Sequence, residues 1–355
     1  MPTEKPVRLA IVGTGIKANH HAQYFSEIPG VEVVAGVEVN RERLDAFVEK
    51  WGVGRGFTSL EEALDWGEFD AIANVTPDRM HHPTTMQAIA AGKHVFCEKP
   101  LATDHAKALE MTEAIEAAGL VNMVNLTYRD VAALAKARAL VKDGAIGAVR
   151  HIEASYLQSW LTAKTWGDWR TESGLLWRLS RAHGSNGTLG DIGIHILDFA
   201  SHGCALEITD MACRLKTFDK APEGRIEDYV LDANDSFAMV VEFENGALGT
   251  IHASRYATGH LNDLKLRIYG TKGGIDVEHA GGRSTIRVCL REDIESQTWR
   301  EIDAGAVETN YQRFIRAVRD GRSLDPDFAH AANLQRLIDL GLGEDGAMRL
   351  TRVAL

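Results

Sequence analysis

The chain has 355 residues, of which 45% are hydrophobic and 25% charged, and a formal net charge of -11 at pH 7. This length predicts about two domains, and the acidic balance without a basic run disfavours a nucleic-acid partner. The apolar runs are too short to span a membrane, and no basic stretch with a long apolar run precedes the first predicted strand, so we expect a cytoplasmic protein. The four cysteines lack C-x-x-C spacing, which predicts reduced thiols and neither a disulfide framework nor a zinc site.

The first predicted element is an apolar run at residues 7–12 that ends at Gly13, as expected for a buried parallel strand. The pattern Gly13-x-Gly15-x-x-Ala18 follows and leads into a helical segment. In such a turn the first glycine permits a tight bend, the second lets the backbone approach a pyrophosphate, and the small third residue lets the helix pack on the sheet. The N–H groups at the helix start favour an anion. We therefore expect a dinucleotide to be bound by Gly13, Gly15, Ile16, Lys17 and Ala18.

The second predicted strand covers residues 31–37 and is followed by Glu38. A carboxylate at this place can bind the adenosine ribose and would repel a 2′-phosphate, which favours NAD over NADP. Two other interpretations stay open. Glu38 could serve only as an acidic group at a helix start, and Arg41 with Arg43 could accommodate a phosphate, so NADP is possible.

Strands and helices then alternate as far as residue 126. Helical patterns cover residues 60–66 and 104–118, and buried runs at 70–75, 93–97 and 120–126 predict strands. This alternation predicts a doubly wound parallel sheet, whose ligands lie beyond the carboxyl ends of the strands. Thr76-Pro77 and Glu98-Lys99 fall at two of these ends, so we expect them to contact the cofactor.

The second half of the chain shows a different pattern. Residues 130–143 predict a helix, and from residue 149 apolar and polar positions alternate, as expected for an antiparallel sheet covered on one side. Further predicted strands lie at 208–218, 236–243, 247–255, 264–269, 274–278 and 285–290, with helices at 309–320 and 328–340. Asn245-Gly246 indicates a hairpin. We expect a dinucleotide-binding domain at 1–126 and a substrate and oligomerisation domain at 127–355, whose C-terminal helices could pack back on the first.

Four of the seven tryptophans lie between residues 160 and 177, with arginines among them. One interpretation is a long loop whose tryptophans fill a domain interface. The other is a substrate wall, in which apolar faces meet sugar C–H groups and arginines bind hydroxyls or a carboxylate. Our candidate substrate contacts are Tyr128, Trp166, Arg170 and Arg178.

The stretch TLGDIGIH at residues 188–195 opens another helical segment. Its four-residue spacing would place Asp191 and His195 on one helical face. A neutral imidazole can accept a hydroxyl proton, and the carboxylate could orient the imidazole or bind a substrate hydroxyl. Two rival interpretations are a metal site, for which a third ligand at suitable spacing is missing, and a capping aspartate with a core histidine. We expect no metal.

Four stretches carry a family resemblance: GTGIKANHHA, TPDRMHHP, AGKHVFCEKPLA and LGDIGIH. They resemble the glucose-fructose oxidoreductase, inositol dehydrogenase and rhizopine-catabolism (Gfo/Idh/MocA) family, and the resemblance extends over essentially the whole chain. It implies an α/β protein with a Rossmann domain and a second α+β domain built on a large open, mostly antiparallel sheet. It also implies oxidation of sugars, inositols or polyols with NAD or NADP.

For individual residues, the resemblance implies that Lys99 lies beside the nicotinamide, where an ammonium can stabilise negative charge developing on a substrate oxygen. It makes Lys99, Asp191 and His195 the catalytic residues, which also bind the substrate. It implies that His81 lies near the cofactor without a catalytic role, and that a cis peptide bond precedes Pro100.

The leading hypothesis is an NAD-dependent dehydrogenase that acts on a secondary or anomeric hydroxyl of a sugar, inositol or related polyol. The alternatives are an NAD-dependent glycosidase of the same fold, which oxidises its substrate transiently, and a non-catalytic cofactor-sensing regulator. An exposed sheet face in the second domain predicts a homodimer or homotetramer.

Overall fold

The computed structural model describes residues 5–343 and 350–352. Contacts between Cα atoms divide the chain into two compact units. The first comprises Met1–Thr127 with Glu308–Arg336, and the second comprises Tyr128–Val307 with Leu337–Leu355. Each unit is built on a large sheet of its own.

In the first unit, strands and helices alternate along the chain. The strands are β1 (Val7–Val12), β2 (Val31–Val37), β3 (Arg55–Phe57), β4 (Ala71–Asn74), β5 (His94–Cys97) and β6 (Asn122–Val124). The helices between them are α1 (Ile16–Ser26), α2 (Arg41–Trp51), α3 (Leu60–Trp66), α4 (Asp78–Ala90) and α5 (His105–Ala117).

These strands pair in the order β3-β2-β1-β4-β5-β6, and every pairing is parallel. The predicted doubly wound parallel sheet is therefore confirmed. Because β2 lies on one side of β1 and β4 on the other, the strand order reverses between β1 and β4. In open α/β sheets, ligands bind at such a switch point beyond the carboxyl ends of the strands.

The chain enters the second unit within a 3₁₀ turn at Thr127–Asp130, which is followed by helix α6 (Ala132–Lys142). Its further helices are α7 (Ser173–Leu176), α8 (Ile194–Cys204) and α9 (Asp293–Ser296). Its strands are β7 (Val149–Leu157), β8 (Ile208–Lys216), β9 (Arg225–Ile226), β10 (Tyr229–Val230), β11 (Ser236–Phe243), β12 (Leu248–Ser254), β13 (Asp263–Gly270), β14 (Gly273–Ala280), β15 (Arg283–Leu290) and β16 (Arg300–Ile302). After β16 come α10 (Asn310–Asp320), α11 (Phe328–Leu342) and β17 (Leu350–Arg352).

In the described residues, the sheet of the second unit has nine strands in the order β16-β15-β14-β13-β7-β12-β11-β8-β17. All neighbours are antiparallel except β7 and β12, which run parallel. Buried and exposed residues alternate along β11, because one face of the sheet is covered. The predicted large, mostly antiparallel sheet is confirmed, and Asn245-Gly246 joins β11 to β12 as the predicted hairpin.

At residues 188–195 the structure differs from a simple helix start. Leu189–Gly193 form a π-helical turn, and α8 begins only at Ile194. The wide turn brings residue 190 close to residue 186, since a Cβ on Gly190 would lie 2.3 Å from Cβ of Asn186. Glycine at this position therefore allows the turn to close.

Helix α10 completes the core of the first unit. It begins with a capping box between Thr309 and Gln312. Its Phe314 is fully buried in the same apolar cluster as Phe25 of α1 and Phe96 of β5. The segment from residue 308 to residue 336 is therefore part of the first unit's fold, although it is distant in sequence.

Five short strands of the described residues were not predicted: β3, β9, β10, β16 and β17. Each has 2 or 3 residues, which is too short to show a periodicity. None of the helices in the described ranges combines the length and apolar character of a membrane span.

Candidate active site

The turn between β1 and α1 has the geometry of a nucleotide cradle. Gly13 has a φ of +87°, and a Cβ on it would lie 2.8 Å from the carbonyl oxygen of Val75. Only glycine tolerates both conditions. A Cβ on Gly15 would meet nothing within 4 Å in the described residues. The backbone at Gly15 is thus open to the close approach of a large group.

Helix α1 starts directly after this turn. Ile16 is 86% exposed and Lys17 is exposed, whereas Ala18 is fully buried against the sheet. Gly15 is the N-cap, and no described side chain caps the helix. The first N–H groups therefore face an open surface, which suits a phosphate. A dinucleotide fits these residues.

Glu38 follows β2 and is held by backbone donors. Its Oε2 accepts a hydrogen bond from the Thr14 N–H at 3.1 Å, and its Oε1 accepts one from the Asn40 N–H at 3.0 Å. Arg41, one of the two arginines that could accommodate a phosphate, forms an ion pair with Asp45 at 2.9 Å. The two backbone donors therefore give the Glu38 carboxylate a defined orientation, at the strand end where this fold recognises a ribose.

His81 links the loops that follow β4 and β5. It is fully buried, with Nε2 2.9 Å from the carbonyl oxygen of Thr76 and Nδ1 2.7 Å from that of Pro100. Pro77, next to Thr76, is the N-cap of α4. His81 thus connects the two predicted cofactor-contacting segments through their backbones.

Lys99 is half-buried at the carboxyl end of β5, and the Lys99–Pro100 peptide bond is cis, as the resemblance implied. The preceding Glu98 accepts hydrogen bonds from Nε2 of His21 and Nδ2 of Asn125, both at 2.8 Å. Burial opposes ionisation of Glu98, but the hydrogen bond and charge of His21, together with Asn125 and Lys99, lower its pKa to about 2. An ionised carboxylate therefore precedes the candidate catalytic ammonium at neutral pH.

In the second unit, Asp191 lies on the π-helical turn and forms an ion pair with a buried arginine. Its Oδ2 is 2.8 Å from Nη2 of Arg255, the residue that follows β12. Nε of Arg178 lies 3.8 Å from the same oxygen. The carboxylate is thus held beside two guanidinium groups.

His195, in the first turn of α8, is 8% exposed and lies among aromatic side chains. Its ring centroid is 5.1 Å from that of Tyr128 and 6.4 Å from that of Tyr156. Burial raises the pKa of both tyrosines, and the negative charge of Asp191 raises it further. Both hydroxyls therefore stay protonated at neutral pH, close to the predicted base.

A chain of hydrogen bonds continues from these tyrosines. The Tyr156 hydroxyl donates to Oδ1 of Asn262 at 2.5 Å, so the Tyr128 hydroxyl, 2.6 Å away, donates to Tyr156. Gln158 also donates to Asn262 Oδ1 at 2.8 Å and accepts from the Trp160 indole at 3.1 Å. Because its proton is directed to Tyr156, the Tyr128 oxygen has lone pairs for a substrate hydroxyl.

The tryptophan-rich stretch divides into buried and exposed residues. Trp160 and Trp169 are each 2% exposed, in a small apolar cluster of the second unit. Trp166 is 36% exposed. Packing explains the first two side chains, and Trp166 is left as the candidate for contact with a ligand.

The two candidate arginines of this stretch differ in their surroundings. Arg178 stacks on the Trp177 ring at 4.6 Å and lies beside Asp191. Arg170 stacks on Trp169 at 4.4 Å and is 3.6 Å from Asp168. The structure therefore brings Arg178, but not Arg170, into contact with the carboxylate of the predicted site.

No sequence pattern predicted a role for Arg255, Tyr156 or Asn262 in the site. Arg255 follows β12 and Tyr156 lies near the end of β7, and these two strands are parallel neighbours. The available signal was the position of these polar residues at strand ends, but their proximity depends on a pairing that the sequence pattern does not reveal. In the described residues, no three His, Cys, Asp or Glu side chains are arranged to hold a metal ion.

Two family models match this chain. The family model described as an oxidoreductase family with an NAD-binding Rossmann fold, GFO_IDH_MocA, matches residues 7–126. The GFO/IDH/MocA C-terminal domain matches residues 134–276.

The relatives found by sequence are oxidoreductases. Levoglucosan dehydrogenase from Pseudarthrobacter phenanthrenivorans is 25% identical over an alignment that covers 96% of each of the two chains. The 1,5-anhydro-D-fructose reductase from Ensifer adhaerens is 28% identical and covers 88% of both chains. Other relatives are named as glucoside and inositol dehydrogenases.

A solved structure of levoglucosan dehydrogenase in complex with NADH and levoglucosan matches with a TM-score of 0.84 and 25% identity. The match covers 99% of this chain and 100% of that one. Because the two family matches together cover most of the sequence, the chain belongs to the Gfo/Idh/MocA family and is an oxidoreductase with an NAD-binding Rossmann domain.

Proposed function

We propose that this oxidoreductase oxidises a secondary or anomeric hydroxyl of a sugar, inositol or related polyol with NAD. The observation that carries the proposal is the set of hydrogen-bonding side chains around Asp191, His195 and Tyr128, because several donors and acceptors in one place suit a ligand with several hydroxyls. The sugar and inositol dehydrogenases among the relatives support the same substrate class.

The first unit would hold the cofactor. The glycine turn at Gly13 and Gly15 would bind the pyrophosphate and Glu38 the adenosine ribose, while Thr76-Pro77 and the end of β5 would line the nicotinamide side. When bound, the oxidised nicotinamide supplies a hydride acceptor.

The proposed chemistry is divided among four side chains. As the C–H bond loses its hydride, the hydroxyl oxygen must lose its proton to become a carbonyl. His195 accepts that proton as a neutral imidazole, and Lys99 donates a hydrogen bond that stabilises negative charge on the oxygen. Asp191 binds a neighbouring substrate hydroxyl or orients the imidazole, and Tyr128 accepts a hydrogen bond from another hydroxyl.

The test is a panel of inositols, aldoses, polyols and glycosides incubated with NAD and monitored by NADH absorbance and product analysis. We expect NADH formation with at least one member. Lys99→Met should then lower kcat by at least about 100-fold, because a donor to the developing oxyanion is lost. NADH binding should persist, and Lys142→Met, at an exposed lysine of the second unit, serves as the control.

Each alternative has its own signature in this test. Hydrolysis of a glycoside without accumulated NADH would favour the glycosidase, and NADH binding without turnover of any member would favour the regulator. Near-normal turnover by Lys99→Met would remove Lys99 from the mechanism, and full activity of His195→Ala at all pH values would remove the proposed base.

A further inference from the structure

Arg255 is an arginine without solvent exposure directly after β12. Burying a guanidinium is unfavourable unless charged and hydrogen-bonding partners compensate. Burial lowers the pKa of Arg255, while the negative charges of Asp191 and Asp235 oppose that shift. Arginine nevertheless keeps its charge in proteins, so the protein retains a buried cation here.

The contacts of this guanidinium hold it from several sides. Nη2 donates to Oδ2 of Asp191 at 2.8 Å, and Nη1 donates to the carbonyl oxygen of Arg178 at 3.1 Å. The guanidinium carbon lies 4.9 Å from the centre of the Trp160 ring, as in a cation–π contact. The indole ring therefore lies on one side of the group, and the two acceptors determine the direction of its N–H bonds.

The ends of three neighbouring strands, β7, β11 and β12, determine the position of the Arg255 backbone. β12 pairs with β7 on one side and with β11 on the other. The chain beyond β7 supplies Trp160, and the backbone N–H of Arg255 donates to the carbonyl oxygen of Asp235, just before β11, at 3.0 Å. The arginine is thus anchored on the sheet, whereas Asp191 lies on the π-helical turn.

The two partners of the ion pair differ in their exposure to solvent. Arg255 is fully buried and cannot touch a substrate, whereas the Asp191 side chain is 29% exposed. We propose that Arg255 is a positioning residue that keeps the Asp191 carboxylate ionised and in one orientation toward the substrate. This proposal rests on the proposed function, because it gives Asp191 a part in substrate binding.

The planar guanidinium is suited to this task, and an ammonium is not. Two of its nitrogens donate to two acceptors at once, and its central carbon lies over an indole ring. A lysine would keep the charge but provide one compact donor group. Arg255→Lys therefore tests orientation, and Arg255→Gln tests the charge.

The experiment measures kcat/KM against pH for both variants with the panel substrate that the wild type oxidises best. We expect a loss of about 10-fold or more in Arg255→Gln with unchanged NADH affinity. Protonation of the base His195 contributes to the acid limb in every variant, and protonation of Asp191 adds to it. The acid limb should move to higher pH in Arg255→Gln and less in Arg255→Lys, because the carboxylate then keeps only the Arg178 guanidinium, 3.8 Å away, as a neighbouring positive charge. An unmoved acid limb in both variants would overturn the proposal.

A double-mutant cycle with Asp191→Asn shows whether Arg255 acts through that carboxylate. We expect replacement of Arg255 to change kcat/KM less than about threefold in the Asp191→Asn background, since the group to be positioned is already gone. Equal losses in both backgrounds would assign Arg255 a general structural role and refute the proposal.

Arg129 offers a matched control in the same unit, because it is 3% exposed and forms an ion pair with the buried Asp198 at 2.6 Å. Arg129→Lys should lower the melting temperature without moving the pH profile; a shift equal to that of Arg255→Gln would count against the proposal.

If the wild type oxidises no panel member, the proposed function fails, and the melting temperatures of the Arg255 and Asp191 cycle still test the pair. Additive changes in that cycle would refute the coupling.

Discussion

At the scale of single residues, the Glu38 carboxylate is the group expected to discriminate between NAD and NADP, which differ by one phosphate. Backbone N–H groups on both of its oxygens favour the ionised form and limit its rotation. A 2′-phosphate brought to this place would meet a like charge that cannot turn away, which costs several kcal/mol.

We therefore expect the wild-type protein to prefer NAD, and Glu38→Ala to lower the ratio of kcat/KM for NAD to that for NADP by about 10-fold or more. The ratio is measured with the same sugar substrate and both cofactors. Glu42→Ala removes a carboxylate from the exposed face of α2 and should leave the ratio unchanged. Equal efficiency of the wild type with both cofactors would contradict this role of Glu38.

Sequence motifs indicated some residues of the candidate site but not others. Gly13 could be predicted because its backbone conformation and its contact with a carbonyl exclude a side chain. The position of Lys99 at the carboxyl end of a parallel strand could also be predicted, whereas its role stays a prediction. The contact of Arg255 with Asp191 could not be predicted, since the two residues are 64 positions apart and one arginine at a strand end resembles any other in a sequence.

At the scale of elements, the π-helical turn at Leu189–Gly193 is held by one asparagine before β11. Asn234 is 6% exposed, and its Oδ1 accepts a hydrogen bond from the Leu189 N–H at 3.0 Å. Its Nδ2 donates to the Asn186 carbonyl oxygen at 2.9 Å. The side chain thus supplies a donor and an acceptor to a turn whose own hydrogen bonds are irregular.

Asn234→Ala would leave the buried Leu189 N–H without its acceptor, which costs about 1–3 kcal/mol. We expect that loss in the free energy of unfolding in urea, together with a fall in kcat/KM, because Asp191 lies on the same turn. Asn245→Ala provides the comparison, since Asn245 also makes two such bonds, at the hairpin at the other end of β11. It should lower stability only, and an equal loss of activity in both variants would disprove the link to Asp191.

The alternating pattern predicted the strands of the second unit well because one covered face imposes a period of two. The π-helical turn was not predictable in this way. The sequence predicted that residues 188–195 open a helical segment, but the close contact of residue 190 with Asn186 depends on the three-dimensional path of the turn. The parallel pairing of β7 with β12 was hidden for a similar reason, because alternation is the same in parallel and antiparallel pairs that have one covered face.

At the scale of the whole molecule, the chain builds the first unit from two segments. An amphipathic pattern predicted α10, and it shows that one face is buried but not which element covers that face. In the structure, Tyr311 and Phe314 of α10 pack on Phe25 and Phe96, with ring centroids 5.0 to 6.3 Å apart. The nucleotide-binding unit therefore depends on residues almost 200 positions after its last strand.

This dependence can be measured at Phe314, which is fully buried. Phe314→Ala should lower the free energy of unfolding by about 3–5 kcal/mol, because it removes a large apolar side chain and leaves a cavity. Since α10 packs against α1, NADH affinity should fall as well, and NADH fluorescence during urea unfolding reports on both quantities. Asp320→Ala, at an exposed position of the same helix, should change neither. A Phe314→Ala protein with wild-type stability and NADH affinity would show that the first unit does not need its second segment.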